Sequence, residues 1–120
     1  MSKRFVVSLT RGCDDTDRAT VALVVANAAL GSDRDTVVFL SIEGVRLSQR
    51  GAANGIHESG FAALSDLLAQ FAAGGGQIFV CSPCFKKRGL DESALIPGAQ
   101  IVGGARLVEF MAEGAASISY

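Results

Sequence analysis

Apolar positions fall into two kinds of pattern along this chain. Residues 4–10, 35–41 and Gln77–Cys81 are short, nearly continuous runs of Val, Leu, Ile and Phe. A strand half-exposed to water alternates polar and apolar residues, so such unbroken runs predict strands covered on both faces, as parallel strands are. The other pattern has helical spacing. Phe61, Leu64, Leu67, Leu68 and Phe71 recur every three or four residues and end at Gly74-Gly75-Gly76, the stripe of an amphipathic helix stopped by glycine. Asp14-Asp15-Thr16-Asp17 offers short acidic caps for a helix that runs to about Leu30 and stops at Gly31.

The remaining segments are read in the same way. Residues 42–56, with three glycines and an asparagine, predict a long loop carrying a short helical piece at 45–49. Pro83 stops the third strand ahead of a short helix at 85–88. A strand at Ala99–Val102 leads through Gly103-Gly104 into a helix over 105–113, and 117–120 supplies a closing strand. Strands alternating with helices imply right-handed crossovers. The expectation is an α/β fold, a three-layer α/β/α sandwich with a mainly parallel five-stranded sheet, as a single domain over 1–120.

Composition narrows the partners. With 49% hydrophobic and 19% charged residues, the 120-residue chain has apolar surface for a core and lacks the charge excess of a disordered segment. Eleven basic and twelve acidic residues give a net charge of −1, so no global field holds nucleic acid or an anionic membrane. The apolar run in 1–10 is shorter than the roughly 7–15 residues of a leader's core, and the uncharged stretch 19–30 falls short of the roughly 20 needed for a membrane span. A cytoplasmic protein with no membrane or nucleic-acid partner is expected. Residues 19–30 contain no charge at all, and a helix apolar all round is hard to cover within one small subunit, which points to a homo-oligomer.

Three cysteines are an odd number and too few for a secreted disulfide framework, so they are read as reduced thiols. In a parallel sheet all strand ends open on one edge, where ligands bind. That edge gathers Gly12, Cys13 and Asp14 after the first strand, Glu43 and His57 after the second, Cys81 and Cys84 after the third, and Gly103-Gly104 after the fourth. Cys81-Ser82-Pro83-Cys84 is a C-x-x-C at a strand end, where a helix N-terminus and the cations Lys86, Lys87 and Arg88 favour thiolate. Two thiols at this spacing can form a disulfide, or one can resolve an adduct on the other. Three alternatives stay open: a thiol–disulfide redox protein, a Cys3His zinc site from Cys13, His57, Cys81 and Cys84, and a scaffold or small-molecule binding protein whose cysteines are inert. No glycine pattern forms a phosphate fingerprint, and no cofactor is expected.

Over nearly its whole length the chain resembles the DsrE/DsrF-like family. The resemblance is carried by Thr10-Arg11-Gly12 with Asp14-Asp15, Arg18-Ala19-Thr20, Ala26-Asn27-Ala28-Ala29, Glu43-Gly44-Val45-Arg46-Leu47, the C-x-x-C followed by Lys87-Arg88-Gly89-Leu90, and Ile101-Val102-Gly103-Gly104-Ala105. It implies a three-layer fold, assembly into a homotrimer or homohexamer, exchange with sulfur donor and acceptor proteins, and a cysteine that holds sulfane sulfur as a persulfide. Cys81 stands eight residues before Gly89, as the carrier cysteine does in the sulfur-relay members, and is the expected carrier; the C-x-x-C spacing itself makes Cys84 the expected resolving thiol. Gly12, Cys13, Asp14, His57, Lys87 and Arg88 are the supporting residues. Cys84 is a departure, since relay subunits commonly carry a single cysteine here.

Overall fold

Five parallel strands in the order β4-β3-β2-β1-β5 form the sheet: β1 (Arg4–Leu9), β2 (Asp35–Leu40), β3 (Gln77–Cys81), β4 (Ala99–Val102) and β5 (Ala116–Ser119). A computed structural model describes residues 3–120; Met1 and Ser2, the start of the segment weighed as a leader, lie outside it. The sheet is parallel throughout, with Val7 opposite Val38 and Ile118, Val38 opposite Ile78, and Cys81 opposite Val102. Among the described residues the α-helices are α1 (Thr16–Gly31), α2 (Leu64–Ala73), α3 (Ser82–Lys87) and α4 (Gly104–Met111), and a 3₁₀ segment spans Ile42–Ser48.

Topology sorts the helices between the two faces. From β1 to β4 the chain steps always in one direction across the sheet, so right-handed crossovers place every intervening helix on the same face. There Val7, Leu9, Val38, Leu40, Ile78 and Val80 are buried with residues of α1, α2, the 3₁₀ segment and Phe85 of α3. The step from β4 to β5 runs back past three strands, and the same handedness puts α4 on the opposite face. Its Phe110 packs with Val6, Val37, Phe79 and Val102, meeting the Phe79 ring edge-on at 6.0 Å. The continuous apolar runs of β1 to β3 are thereby explained: alternate residues feed two different cores.

Local chemistry fixes the element ends. Asp15 caps α1, its carboxylate accepting the Arg18 N–H at 3.1 Å. α1 is better covered than its composition suggests. Ala19, Ala22, Leu23, Ala26 and Ala29 are buried, and Asn27 donates to the Leu67 carbonyl of α2 at 3.1 Å, leaving Val21, Val24 and Val25 half-buried. Its small alanines let sheet and neighbouring helix approach closely, so much of the apolar surface is satisfied within one chain. α2 begins at Leu64 rather than Phe61, because Gly60 adopts φ +85° and the Phe61 carbonyl is engaged by His57 Nε2 at 2.7 Å. The helical piece expected at 45–49 is the longer 3₁₀ segment. α3 opens at Ser82, three residues earlier than expected, since Pro83 sits in the first turn where a missing N–H leaves no bond unmade.

Candidate functional site

The connections after β3 and β4 leave toward opposite faces of the sheet, so the crevice between their C-terminal ends is the topological switch point, the usual ligand site of an open α/β sheet. Cys81 ends β3 at that crevice and is also the residue capping α3, while Cys84 follows three positions later on its first turn. Residues three apart on a helix share a face, so the C-x-x-C presents its sulfurs together. Both thiols are free and half-buried.

An ion-pair network holds this turn from behind. Arg88, whose side chain is only 12% exposed, donates from Nη1 to the Cys84 carbonyl at 3.2 Å and from Nε to Glu43 Oε2 at 2.6 Å. Glu43 also accepts from Arg46 Nε at 2.9 Å. The Arg88 and Arg46 guanidinium groups hold the Glu43 carboxyl below the usual carboxylate range. Glu43 lies on the 3₁₀ segment, which is wedged against the end of β1: a Cβ on Gly44 would sit 2.3 Å from the Leu9 carbonyl oxygen, and one on Gly12 would sit 2.7 Å from the Glu43 oxygen. Ile42 adopts φ +55°, a strained conformation for a β-branched residue, immediately before this wedge.

The electrostatics differ from the sequence expectation of a favoured thiolate. Burial pushes the Cys81 thiol above its ordinary value, and the Cys84 side chain pushes the same way. Opposing them, the Cys84 backbone N–H faces the sulfur without closing a cap hydrogen bond, and Arg88 is the cation that acts on it. Lys86 and Lys87 are exposed on the far turn of α3.

The structure brings together only part of the expected set. Cys81, Cys84 and Arg88 form one group with Glu43, and Gly12 backs the Glu43 backbone. Asp14 serves its own turn, accepting the Gly12 N–H at 2.8 Å and pairing with Arg11 at 3.1 Å; those contacts, the Gly12 N–H first, hold its carboxyl below the ordinary value. Cys13 is exposed with its sulfur 3.7 Å from the Ala52 carbonyl, and exposed His57 bonds Phe61 in the loop before α2. The Cys3His zinc alternative fails on this placement: among the described residues no group of three or more His, Cys, Asp or Glu could hold a metal ion. Glu43 had been placed at the right sheet edge by sequence, yet its ion pair with Arg88 bridges 45 residues and has no local signal.

Comparison with known proteins agrees with the architecture. The family model described as DsrE/DsrF-like matches residues 3–120. Uncharacterized protein MJ0989 of Methanocaldococcus jannaschii is 31% identical over 92% of this chain and 93% of its own length; uncharacterized protein MK0008 of Methanopyrus kandleri is 31% identical over 81% and 77%. Uncharacterized protein MJ0760 of M. jannaschii is 25% identical over 91% of this chain, which spans only 39% of that longer relative. Among solved structures, the ychN protein from E. coli superposes with a TM-score of 0.81 at 19% identity over all of both chains. A protein of unknown function from Methanobacterium thermoautotrophicum, MTH1491, gives 0.68 at 22% identity over 98% of each.

Proposed function

The chain belongs to the DsrE/DsrF-like family, which is related to sulfur relay, and on that premise we propose that it is a sulfur carrier or sulfurtransferase-like protein that holds sulfane sulfur on Cys81. The observation that carries this reading is the free, half-buried Cys81–Cys84 pair at the switch-point crevice. The Cys81 thiolate attacks the outer sulfur of a donor persulfide R–S–SH; its new S–S bond forms as the donor S–S bond breaks, and the donor leaves as thiol R–SH. An acceptor thiolate then takes that outer sulfur and restores the Cys81 thiol. Alternatively Cys84 attacks the Cys81 sulfur, forming a Cys81–Cys84 disulfide and releasing the sulfane sulfur, now reduced by two electrons, as sulfide.

Burial holds the Cys81 thiol above its ordinary value and so favours its protonated form at rest. Arg88 is the group that favours the anion. Gly12 backs Glu43 behind this pair, while Asp14, Cys13 and His57 are engaged within their own loops and Lys87 is exposed on α3. Donor and acceptor proteins are the expected partners, in a cytoplasmic setting; no helix among the described residues is long and apolar enough to cross a membrane. Self-association into a trimer or hexamer, over one domain, is supported by the half-buried flank of α1 and by exposed Val108 and Ile118.

Intact mass spectrometry after incubation with a sulfane-sulfur donor tests the proposal. A reducible gain of one sulfur mass that disappears in Cys81→Ser is expected, with a longer-lived adduct in Cys84→Ser. An unmodified wild-type protein, whose thiols label only after unfolding, would sink it. That result favours a second reading, an oligomeric scaffold or small-molecule binding protein with inert cysteines, for which the burial that raises Cys81 is the supporting observation.

A further inference from the structure

A cavity of about 460 Å³, lined by neither Cys81 nor Cys84, opens on the helical face of the sheet between α2 and the loops at 47–54 and 96–98. Its volume lies within the roughly 300–1000 Å³ typical of small-molecule sites. The hollow follows from the choice of side chains. Ser65, Ala69, Ala72 and Ala73 recur along one stripe of α2 facing it, while the larger residues of that helix, Leu64, Leu67 and Phe71, turn to the core.

The opposite wall is prevented from collapsing inward by bonds that tie its two loops to each other. The Gln49 side chain donates to the Asp91 carbonyl at 3.0 Å and accepts the Asp91 N–H at 2.9 Å. Arg50 N donates to Ala94 O and Ile96 N to Ser48 O, both at 2.8 Å. At the far end Gly98, at φ +83°, lets the chain pass so close to α2 that a Cβ there would lie 3.3 Å from Ala72 Cβ. The cavity is therefore preformed, which removes most of the ordering cost of binding.

Its chemistry selects the ligand. None of the residues lining it is ionisable, and an ionised group placed against Leu47, Leu68 and Ile96 would lose hydration without a counter-charge. Among the described residues, two polar side chains on the lining, Ser65 and Asn54, have no hydrogen-bond partner. We infer that this cavity is a binding site for a neutral, largely apolar small molecule carrying one hydrogen-bonding group that meets Ser65 or Asn54. The inference is independent of the thiol reading, since the cavity and the cysteines share no lining residue.

The experiment is a nitrogen-15 amide titration of the wild-type protein with cinnamamide, a neutral aryl amide, and in parallel with cinnamate, its ionised counterpart at pH 7. Saturable shifts confined to the α2 stripe, to the 47–54 loop and to Ile96 and Gly98 are expected with the amide, and cinnamate should bind at least about tenfold more weakly. Ala69→Phe and, from the other end, Ser65→Phe place a ring in the cavity from exposed helix positions; each should abolish the shifts without lowering the melting temperature. Cinnamate binding as tightly as the amide, shifts that survive both variants, or no shift at millimolar amide overturns the inference. A sedimentation change in Ala69→Phe without amide binding to the wild type overturns it as well, and makes this face an interface between copies.

Discussion

Replacing Gly44 with alanine tests the wedge that ties the 3₁₀ segment to the sheet. The added Cβ would stand 2.3 Å from the Leu9 carbonyl oxygen, 3.2 Å from its carbon and 3.4 Å from the Arg11 oxygen. None of these atoms can swing aside. Leu9 is fully buried, its oxygen already accepts the Ser41 N–H at 3.1 Å, and Gly44 N is itself bonded to Ser41 O at 2.9 Å. Relief requires backbone movement, and overpacking of this kind costs about 3 kcal/mol at the upper end of the usual range. The reduced freedom of the unfolded chain returns about 0.4–1 kcal/mol. A net loss of about 2 kcal/mol lowers the melting temperature of a chain this size by about 8 °C. Thermal and urea unfolding measure it, with Gly31→Ala as the control: Gly31 ends α1 with nothing within 4 Å of an added Cβ, so alanine there should stabilise by about 0.5–1 kcal/mol. Because Glu43 adjoins Gly44 and holds Arg88 against Cys84, the variant should also label faster at Cys84 and no faster at Cys13. A Gly44→Ala protein melting within about 2 °C of its parent would refute the steric reasoning.

Four further outcomes follow from particular residues. Ile42→Asn relieves the positive φ of a β-branched residue and should raise stability by about 1 kcal/mol in urea unfolding; a loss would mean that Ile42 contributes packing instead. Phe71→Ala removes a fully buried ring and should cost about 3–5 kcal/mol, read from the shift in urea midpoint at constant m-value. Because the folded Cys81 pKa is raised, the stability it contributes is present below the ordinary thiol value of about 8.5 and is lost as pH rises through the higher folded value; urea midpoints should fall from pH 7 toward pH 10, less steeply in Cys81→Ala, and alkylation of Cys81 should lag that of exposed Cys13 near neutrality. Asp15, lowered first by the Arg18 backbone N–H, contributes stability above the ordinary carboxylate value that is lost as pH falls through its lower folded value, so Asp15→Asn should keep the cap but flatten the acid limb of the melting-temperature profile.

Local spacing along the chain encodes most of the secondary structure. Unbroken apolar runs gave three buried parallel strands, the Asp14–Asp17 cluster gave the start of α1, and the stripe through Phe71 gave α2 together with its glycine stop. Its C-x-x-C at a strand end marked the thiols for the same reason, since the two sulfurs are neighbours in the chain. The self-covering of α1 was not legible, because composition shows what a helix carries and not what stands beside it. Nor did sequence show Pro83 opening a helix as well as ending a strand. The remaining features arise from contacts that folding creates. The return of the chain from β4 to β5 sends α4 to the opposite face and makes the end of β3 a switch point. Burial around Cys81 outweighs the nearby cations that sequence counted as activating, because desolvation depends on what packs around the sulfur. The Glu43–Arg88 pair and the cavity beside α2 join segments tens of residues apart, and no period or motif along a chain records a distance that only folding closes.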